Sequence, residues 1–583
     1  MPSHPSSNAA PAEQNPRVKR RWEVAAKAPR EHFSQFSDLP PLLVQILYNR
    51  GLIEPAQAAA FLSDDAPPVD PFRLKGMGDA IVRLRRAILV GEPIAVYGDY
   101  DVDGVTAAVL LTQTLRGLGA AVQAYIPDRF EEGYGLNTGA LDKLAAQGVR
   151  VVVTVDCGVR APGEVEHGNR LGLDVIVTDH HEPEGERMPP ALAVINPKQP
   201  GCKYPDQALA GVGLSFRLAQ ALAWDFARDG RRLPFSIDDL LDLVALGTVA
   251  DLAPLVGENR FMVRDGLARI NDRARPGIAA LSSVSGLLPG QIDAGAIGYS
   301  LGPRLNAAGR VEHARAAYDL LSSESLEQAV QHAHQLNEQN RERQRLTAEM
   351  VEQAIAQALA SDPDAPLLFA SSADFSPGVV GLAASRLVEL HYRPAIVLSL
   401  NGNAARGSAR SIPPFHITEA LDQCADLLIK HGGHAAAAGF TVALDQLDAL
   451  RQRLTVIAGQ ARDAGDWSPV LSIDAHVRLS TLTQDMQAQL ARLEPHGMGN
   501  PRPVFVSRNL RVRGARALKE GAHLKLTLLD ENGRAWDAIA FRMGERLTHL
   551  ADTIDLAYTL EMNSWNGEQR LQLNVKDLQP AQV

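Results

Sequence analysis

Cysteine is nearly absent. The three present in 583 residues, Cys157, Cys202 and Cys424, lie far apart with no CxxC pair. That excludes a disulfide framework and gives no structural zinc signature, and it fits a reducing compartment. No stretch approaches the roughly 20 consecutive apolar residues a membrane helix needs. The first 20 residues are polar, with Pro, Ser, Asn and Arg but no apolar signal core. The expectation is a soluble, cytoplasmic chain without membrane contact. Basic residues are outnumbered, 58 Lys and Arg against 68 Asp and Glu, for a net charge of -10. A uniformly basic coat for a polyanion is therefore excluded, and any such site must be a local patch. No internal repeat stands out, and no coiled-coil seam is evident, which favours a monomer.

What is there reads as several domains, since one hydrophobic core does not extend over this length. Residues 1-30, rich in Pro, Ser, Asn and Ala, read as a disordered leader. From about Leu89, strands alternate with helices: Pro93 to Tyr97, Thr106 to Leu118, Val122 to Ile126, Thr138 to Gln147, Val151 to Val155, Val175 to Thr178 and Ala193 to Ile195. This rhythm predicts an α/β fold with a doubly wound parallel sheet, followed by a mostly helical region to about Ala317. Ser322 to Leu359 lacks Gly and Pro and predicts one long connector helix. A smaller α/β unit follows, and from about Pro469 short alternating strands predict a small antiparallel barrel. The expected division is 31-320, 321-361, 362-460 and 461-583.

The chemistry is concentrated at strand ends. VVVTV at Val151–Val155 and VIVT at Val175–Thr178 are short β-branched runs of the kind buried on both faces of a parallel sheet. The first ends on Asp156, the second on Asp179, His180 and His181. Ligands bind at the carboxyl ends of such strands. A carboxylate and two imidazoles meeting there are costly to desolvate without a cation, so a metal site is the first inference. GDYDVDG at Gly98 to Gly104 sets Asp99, Asp101 and Asp103 at alternate positions of a strand-to-helix turn, pointing the same way. Each part alone has a plainer reading. One Asp would be a solvated turn or helix cap, each His a core or surface residue, and Asp251, in TVADLAPL, an N-cap. Together the carboxylates and imidazoles make a hard, oxygen-rich site suited to Mn²⁺ or Mg²⁺. Two ions about 3.5 to 4 Å apart suit in-line phosphoryl displacement, hence phosphoester hydrolysis.

GDYDVDG, TVDCG and TDHH, in this order, resemble the DHH phosphoesterase superfamily. PDRFEEGYG at Pro127 to Gly135, TVADLAPLVGENR at Thr248 to Arg260 and LGPRLNAAGR at Leu301 to Arg310 resemble its RecJ family of single-stranded-DNA exonucleases. SPGVVGLAASRL, GSARS and HGGHAAAAGF resemble the DHH-associated domain, and GMGNPRPVF the entry to an OB-fold. The resemblance implies two Mn²⁺ or Mg²⁺ ions held by Asp101, Asp103, Asp156, His180 and Asp251, with Asp99 close by. It implies His181 against the scissile phosphate as a catalytic group, together with Asp99 and Arg310. Arg129, Arg304, Asn306 and Arg310 would line the substrate path, faced by Ser408, Arg410 and the Gly432-Gly433-His434 turn. It further implies 5′ to 3′ hydrolysis of single-stranded DNA to mononucleotides, roles in recombination and mismatch repair, and a helicase and a single-strand-binding protein as partners. The alternatives are a DHH phosphodiesterase of short oligonucleotides or cyclic dinucleotides and an inactive single-strand-binding relative.

Two weaker signals stand beside these. Gly407 and the Gly432-Gly433 pair allow backbone to approach a phosphate and Arg410 supplies a bidentate donor, although glycine-rich turns usually only turn. In the last domain Arg502, Arg508, Arg511, Arg513, Arg516, Lys519 and Lys525 face a single acid, Glu520. Such a stripe suits a single-strand backbone, with Phe505, His523, Trp536 and Trp565 available for base stacking. The plain alternative is a solvated strand face over core aromatics.

Overall fold

The computed structural model describes residues 20–581, apart from 67, 130, 131, 134, 186, 312, 313, 566 and 567. Among these, one compact unit comprises Ala59–Arg341 with the short segment Leu493–Pro501. The other comprises 20–58, Glu342–Arg492 and 502–581.

The first unit is built on five parallel strands in the spatial order Val122–Tyr125, Ile94–Gly98, Val151–Val155, Asp174–Thr178 and Ala193–Ile195. Ile94–Gly98 and Val151–Val155 are buried at every position, which is why their sequences do not alternate. Each fully buried Val, Ile or Leu there contributes about 1.5–3 kcal/mol. Gly98 is level with Val155, and Val155 with Thr178. Asp99, Asp156 and Asp179 therefore leave the sheet at one edge. The strand order reverses between Ile94–Gly98 and Val151–Val155, and ligands bind at such a reversal. The helix expected from Thr106 begins a turn earlier, at Val102, because the Asp101 carboxylate accepts from the Gly104 N–H at 3.0 Å and caps it. It runs to Gly117, packed against the helices Gly211–Ala227 and Leu241–Ala250. From Gly211 to Ser322 the described residues are mostly helical, as the sequence predicts.

The connector helix spans Leu326–Ser361. Ala329, Ala333 and Leu336 join the core of the first unit. Met350, Val351, Ala354 and Ala358 join a separate apolar cluster with Leu368, Val380 and Leu387. The second unit holds a five-stranded mixed sheet in the order Leu428–His434, Ala437–Ala443, Ala404–Arg410, Ala395–Asn401, Leu368–Ser372, with only the last two parallel. It also holds a closed barrel of Phe505–Leu518, His523–Leu529, Ala535–Ala540, Glu568–Pro580 and Thr553–Trp565, which closes back on Phe505–Leu518.

The N-terminal reading needs correction from residue 20 onward; residues 1–19 lie outside the described residues. Arg21–Val24 forms a strand parallel to Val470–Ile473, and Arg30–Ser34 is helical. The Trp22 indole donates to Asp577 at 2.8 Å, and Asn49 donates to the Asp474 carbonyl at 2.9 Å. Residues 20–58 thus belong with the second unit, where the sequence had grouped those from 31 with the first sheet. The three cysteines are free, and no described helix is long and apolar enough to cross a membrane.

Candidate metal centre

The acidic turn and the two strand ends meet in the first unit. Three sets of side chains have ligand atoms within 4.8 Å of one another: Asp99, Asp101 and Asp156; Asp103, His180 and Asp251; and Asp156, His180 and His181. His180 Nε2 is 3.1 Å from Asp156 Oδ1, 3.8 Å from Asp251 Oδ2 and 3.9 Å from Asp103 Oδ2. All five expected ligands and Asp99 are therefore brought together. Asp251 is the C-cap of the helix Leu241–Ala250, not the N-cap it resembles in isolation.

The backbone is arranged around these groups. Asp156 has φ +62°, a left-handed conformation that Asp and Asn tolerate better than most residues. Gly211 passes so close that a Cβ there would sit 2.7 Å from the Asp156 Cβ. The Asp103 carboxylate accepts from the Gly211 and Val212 N–H groups at 2.7 and 2.8 Å, at the N-terminus of a long helix that favours negative charge.

The electrostatics are severe. Burial, then neighbouring carboxylates, pushes Asp99, Asp103 and Asp156 well above the usual carboxylate range. Burial and the nearby Asp101 push Asp251 up to about 7. Burial and His181 lower His180 to about 4, so its imidazole is neutral and free to ligate. Asp99 Oδ1, Asp156 Oδ1 and His180 Nε2 are buried with no hydrogen-bond partner among the described residues. Orphaned acceptors on crowded carboxylates, with a neutral imidazole, fit divalent cations.

His181 is set apart by Asp179, which the sequence reading placed at the strand end but gave no role. Asp179 Oδ1 lies 2.7 Å from His181 Nδ1 and accepts the His181 backbone N–H at 3.0 Å, while Oδ2 accepts the Val159 N–H at 2.9 Å. Burial alone would lower the His181 imidazole, but the Asp179 contact outweighs it and raises it. Arg129 stacks over the Tyr100 ring with Cζ 4.9 Å from its centroid, and its charge reaches Asp99. Asp128, its chain neighbour, is anchored by Glu132, which accepts from the Tyr125 hydroxyl at 2.6 Å and the Asp128 N–H at 2.8 Å. Arg310 is near enough to act on Tyr100. Arg304 is fixed instead to Asn337 at 3.0 Å and the Ser300 carbonyl at 2.8 Å, and Asn306 is half-buried. Glu132 and Tyr100 are functional candidates that motif spacing does not single out.

Ser408, Arg410, Gly432, Gly433 and His434 all lie in the second unit. Arg410 donates to Ser408 Oγ at 3.0 Å and faces no carboxylate among the described residues, its guanidinium held below its ordinary range by burial. A Cβ on Gly381 would stand 3.1 Å from both Arg410 and Ser408, so the start of the helix Val380–His391 adjoins them. Two details differ from the sequence reading. Gly432, Gly433 and His434 lie in a strand, not a turn. Gly407 has a packing reason, since a Cβ there would be 2.3 Å from the Phe440 ring. On the barrel, Arg508, Arg511, Arg513, Arg516 and Lys519 are exposed, whereas Arg502 and Lys525 are half-buried beside Glu561 and Asp537. Phe505 and Trp536 are buried and do not offer stacking faces; the Trp565 side chain lies outside the described residues.

Comparison with known proteins gives a consistent set of matches. The DHH family N-terminal domain matches residues 93–248, the DHHA1 domain residues 364–459 and the RecJ OB domain residues 473–577. The chain is 39% identical to the single-stranded-DNA-specific exonuclease RecJ of Bacillus subtilis (strain 168), over 96% of this chain and 71% of that protein. It is 36% identical to the protein of that name from Dickeya dadantii (strain 3937), over 93% and 96%. Among solved structures, RecJ in complex with Mn²⁺ from Thermus thermophilus aligns with a TM-score of 0.83 at 30% identity, over 97% of this chain and 80% of the other. The Mg²⁺ complex aligns at 0.77 and 29%, over 97% and 79%.

Proposed function

The chain belongs to the RecJ family of single-stranded-DNA-specific exonucleases, and from that premise we propose how its residues hydrolyse the phosphodiester bonds of single-stranded DNA. Mn²⁺ or Mg²⁺ is the cofactor, and Asp101, Asp103, Asp156, His180 and Asp251 would hold two such ions, with Asp99 alongside. The observation that carries this reading is the crowding of buried ligand atoms on Asp99, Asp156 and His180, none of which makes a well-formed hydrogen bond, with His180 Nε2 3.1 Å from Asp156 Oδ1. When bound, the ions supply an activated water and charge neutralisation at the phosphate.

The chain's own groups do the rest. Asp179 holds a proton on His181 Nδ1, which leaves Nε2 to meet a phosphate oxygen, and by favouring the imidazolium it makes that contact a charge-assisted donation. Arg129, steadied by Tyr100 and Glu132, and Arg310 supply cationic donors for the substrate backbone. Arg304 and Asn306 extend that path, and Ser408, Arg410 and the Gly432-Gly433-His434 segment offer a second phosphate-binding surface. The exposed arginines of Phe505–Leu518 hold the strand by its phosphates. Hydrolysis from the 5′ end to mononucleotides, service in recombination and mismatch repair, a cytoplasmic monomer, and a helicase and a single-strand-binding protein as partners complete the proposal.

The test is degradation of a long single-stranded DNA labelled at the 5′ or the 3′ end, with Mn²⁺ or with chelator, by wild type and Asp156→Asn. Immediate metal-dependent release of the 5′-terminal mononucleotide, lost in the variant, is the expected result. Early release of the 3′ label would overturn the polarity. Full activity of Asp156→Asn would overturn the ligand assignment.

A further inference from the structure

Ala294–Ala296, Ile297–Leu301 and Gly302–Val311 form consecutive helical turns, and the middle five residues are a π-turn. Such turns are rare and concentrate at functional sites. This one lodges against the end of the helix Leu241–Ala250. A Cβ on Gly302 would be 3.4 Å from the Ala250 Cβ, and one on Gly298 would be 3.9 Å from Val249 Cγ1. Asp251 follows directly, with Oδ2 3.8 Å from His180 Nε2. The π-turn also carries Ser300, whose carbonyl and hydroxyl accept from Arg304 at 2.8 and 3.1 Å.

Two large side chains at this junction are exposed. Tyr299, on the π-turn, is 54% exposed, and no hydrogen bond, ion pair or ring contact engages it among the described residues. Leu252, next to Asp251, is 64% exposed and has φ +61°, a strained conformation for a leucine. Leu252 follows Asp251 directly, and Tyr299 sits on the turn that packs, through Gly298 and Gly302, against the helix ending at Asp251, so an exposed ring and a strained, exposed leucine are both carried by elements that adjoin the candidate metal centre. Phe505 and Trp536 are buried and cannot stack on a base, and a nuclease of single strands has bases to place.

We propose that Tyr299, assisted by Leu252, is the platform on which a base of the single-stranded substrate stacks while a neighbouring phosphate occupies the metal centre. This rests on the exonuclease reading above. Every base has a π-face, so the contact is indifferent to sequence. A base inside a duplex already has both faces covered, so the same platform favours single strands.

The full-length protein tests it with Tyr299→Ala, Tyr299→Phe and Tyr299→Trp, through steady-state kinetics on single-stranded DNA with Mn²⁺. Loss of one base–aromatic stack should raise KM about 5- to 150-fold in Tyr299→Ala, with kcat changed much less and both aromatic variants close to wild type. In chelator, where the strand stays intact, 2-aminopurine near the bound end should be quenched by wild type and Tyr299→Phe but not by Tyr299→Ala. An abasic nucleotide at the quenched position should erase the difference between wild type and Tyr299→Ala. Wild-type KM and quenching in Tyr299→Ala, or an equal loss in Tyr299→Phe, would overturn the platform while leaving the exonuclease intact. Failure of wild type itself to degrade the strand would instead overturn the underlying reading, and the platform with it.

Discussion

Replacing Asp251 by Asn should stabilise the metal-free protein and at the same time abolish its activity. Asp251 is held in a site that pushes its carboxyl up to about 7 from an ordinary value of 3.8. A group whose folded pKa lies above its unfolded one keeps its proton in the folded state through that window, so folding loses stability as pH rises from about 4 to about 7. The full gap corresponds to about 4 kcal/mol above pH 7, an upper bound for a side chain that is 22% exposed and surrounded by other titrating acids. An amide has no charge to desolvate, so Asp251→Asn recovers part of that amount at pH 8 and little near pH 4. At about 2–4 °C per kcal/mol for a unit of this size, the metal-free variant should melt several degrees above metal-free wild type at pH 8. Mn²⁺ should reverse the order, because it stabilises only a site that binds it, and in the proposed site wild type offers it one more carboxylate. Thermal unfolding at pH 5 and pH 8, with chelator and with Mn²⁺, reads all four cases. A lower melting point for the metal-free variant at pH 8 would refute the claim that these carboxylates are held together against their own repulsion.

Gly211→Ala places a methyl 2.7 Å from the Asp156 Cβ; overpacking of this kind costs about 1–3 kcal/mol, so Mn²⁺ affinity measured by calorimetry should fall about tenfold while the fold persists. Glu132→Gln weakens the hold on the Arg129 loop by removing the charge from its acceptor to Tyr125 and Asp128; about 1 kcal/mol is at stake, so KM should rise about fivefold with kcat nearly unchanged, and an unchanged KM would remove Arg129 from the substrate path. Arg516→Ala on the exposed barrel face should weaken binding to all sequences alike and reduce the slope of log affinity against log salt by about 1. A sequence-dependent loss there would point to base reading in place of backbone tracking.

The candidate metal centre was legible as a cluster because its signal is local. Asp99, Asp101 and Asp103 alternate within five residues of one strand end, and Asp156 and the histidine pair sit on β-branched runs whose parallel register then puts them at one edge. What escaped depends on partners distant in the chain. Gly407 reads as a phosphate-approach glycine until the Phe440 ring is seen above it. Phe505 and Trp536 read more readily as core than as stacking faces, and both are buried, but the periodicity of a barrel strand does not by itself say which of its faces is inside. The strand Arg21–Val24 has no local pattern of its own, and its pairing with Val470–Ile473 comes from the far end of the sequence. Tyr299 was invisible for a different reason: a π-turn is one residue of extra winding, and apolar spacing does not resolve it.

The backbone at Asp156 bears on how any variant of this centre is interpreted. With φ at +62°, that position favours Asp, Asn or Gly, and most other residues there cost about 1–2 kcal/mol in backbone strain alone. Asp156→Ala therefore changes two things, the proposed ligand and the turn that carries it, and the turn lies directly against Gly211. Asp156→Asn removes the charge, keeps the size and tolerates the same conformation. If Asp156→Asn loses activity with its fold intact and Asp156→Ala additionally loses stability, the difference measures the strain, and the loss common to both measures the ligand. Equal stability in the two variants would mean that the turn relaxes once the carboxylate is gone. The left-handed conformation would then be imposed by the crowded charges themselves and not by the sheet edge that delivers them.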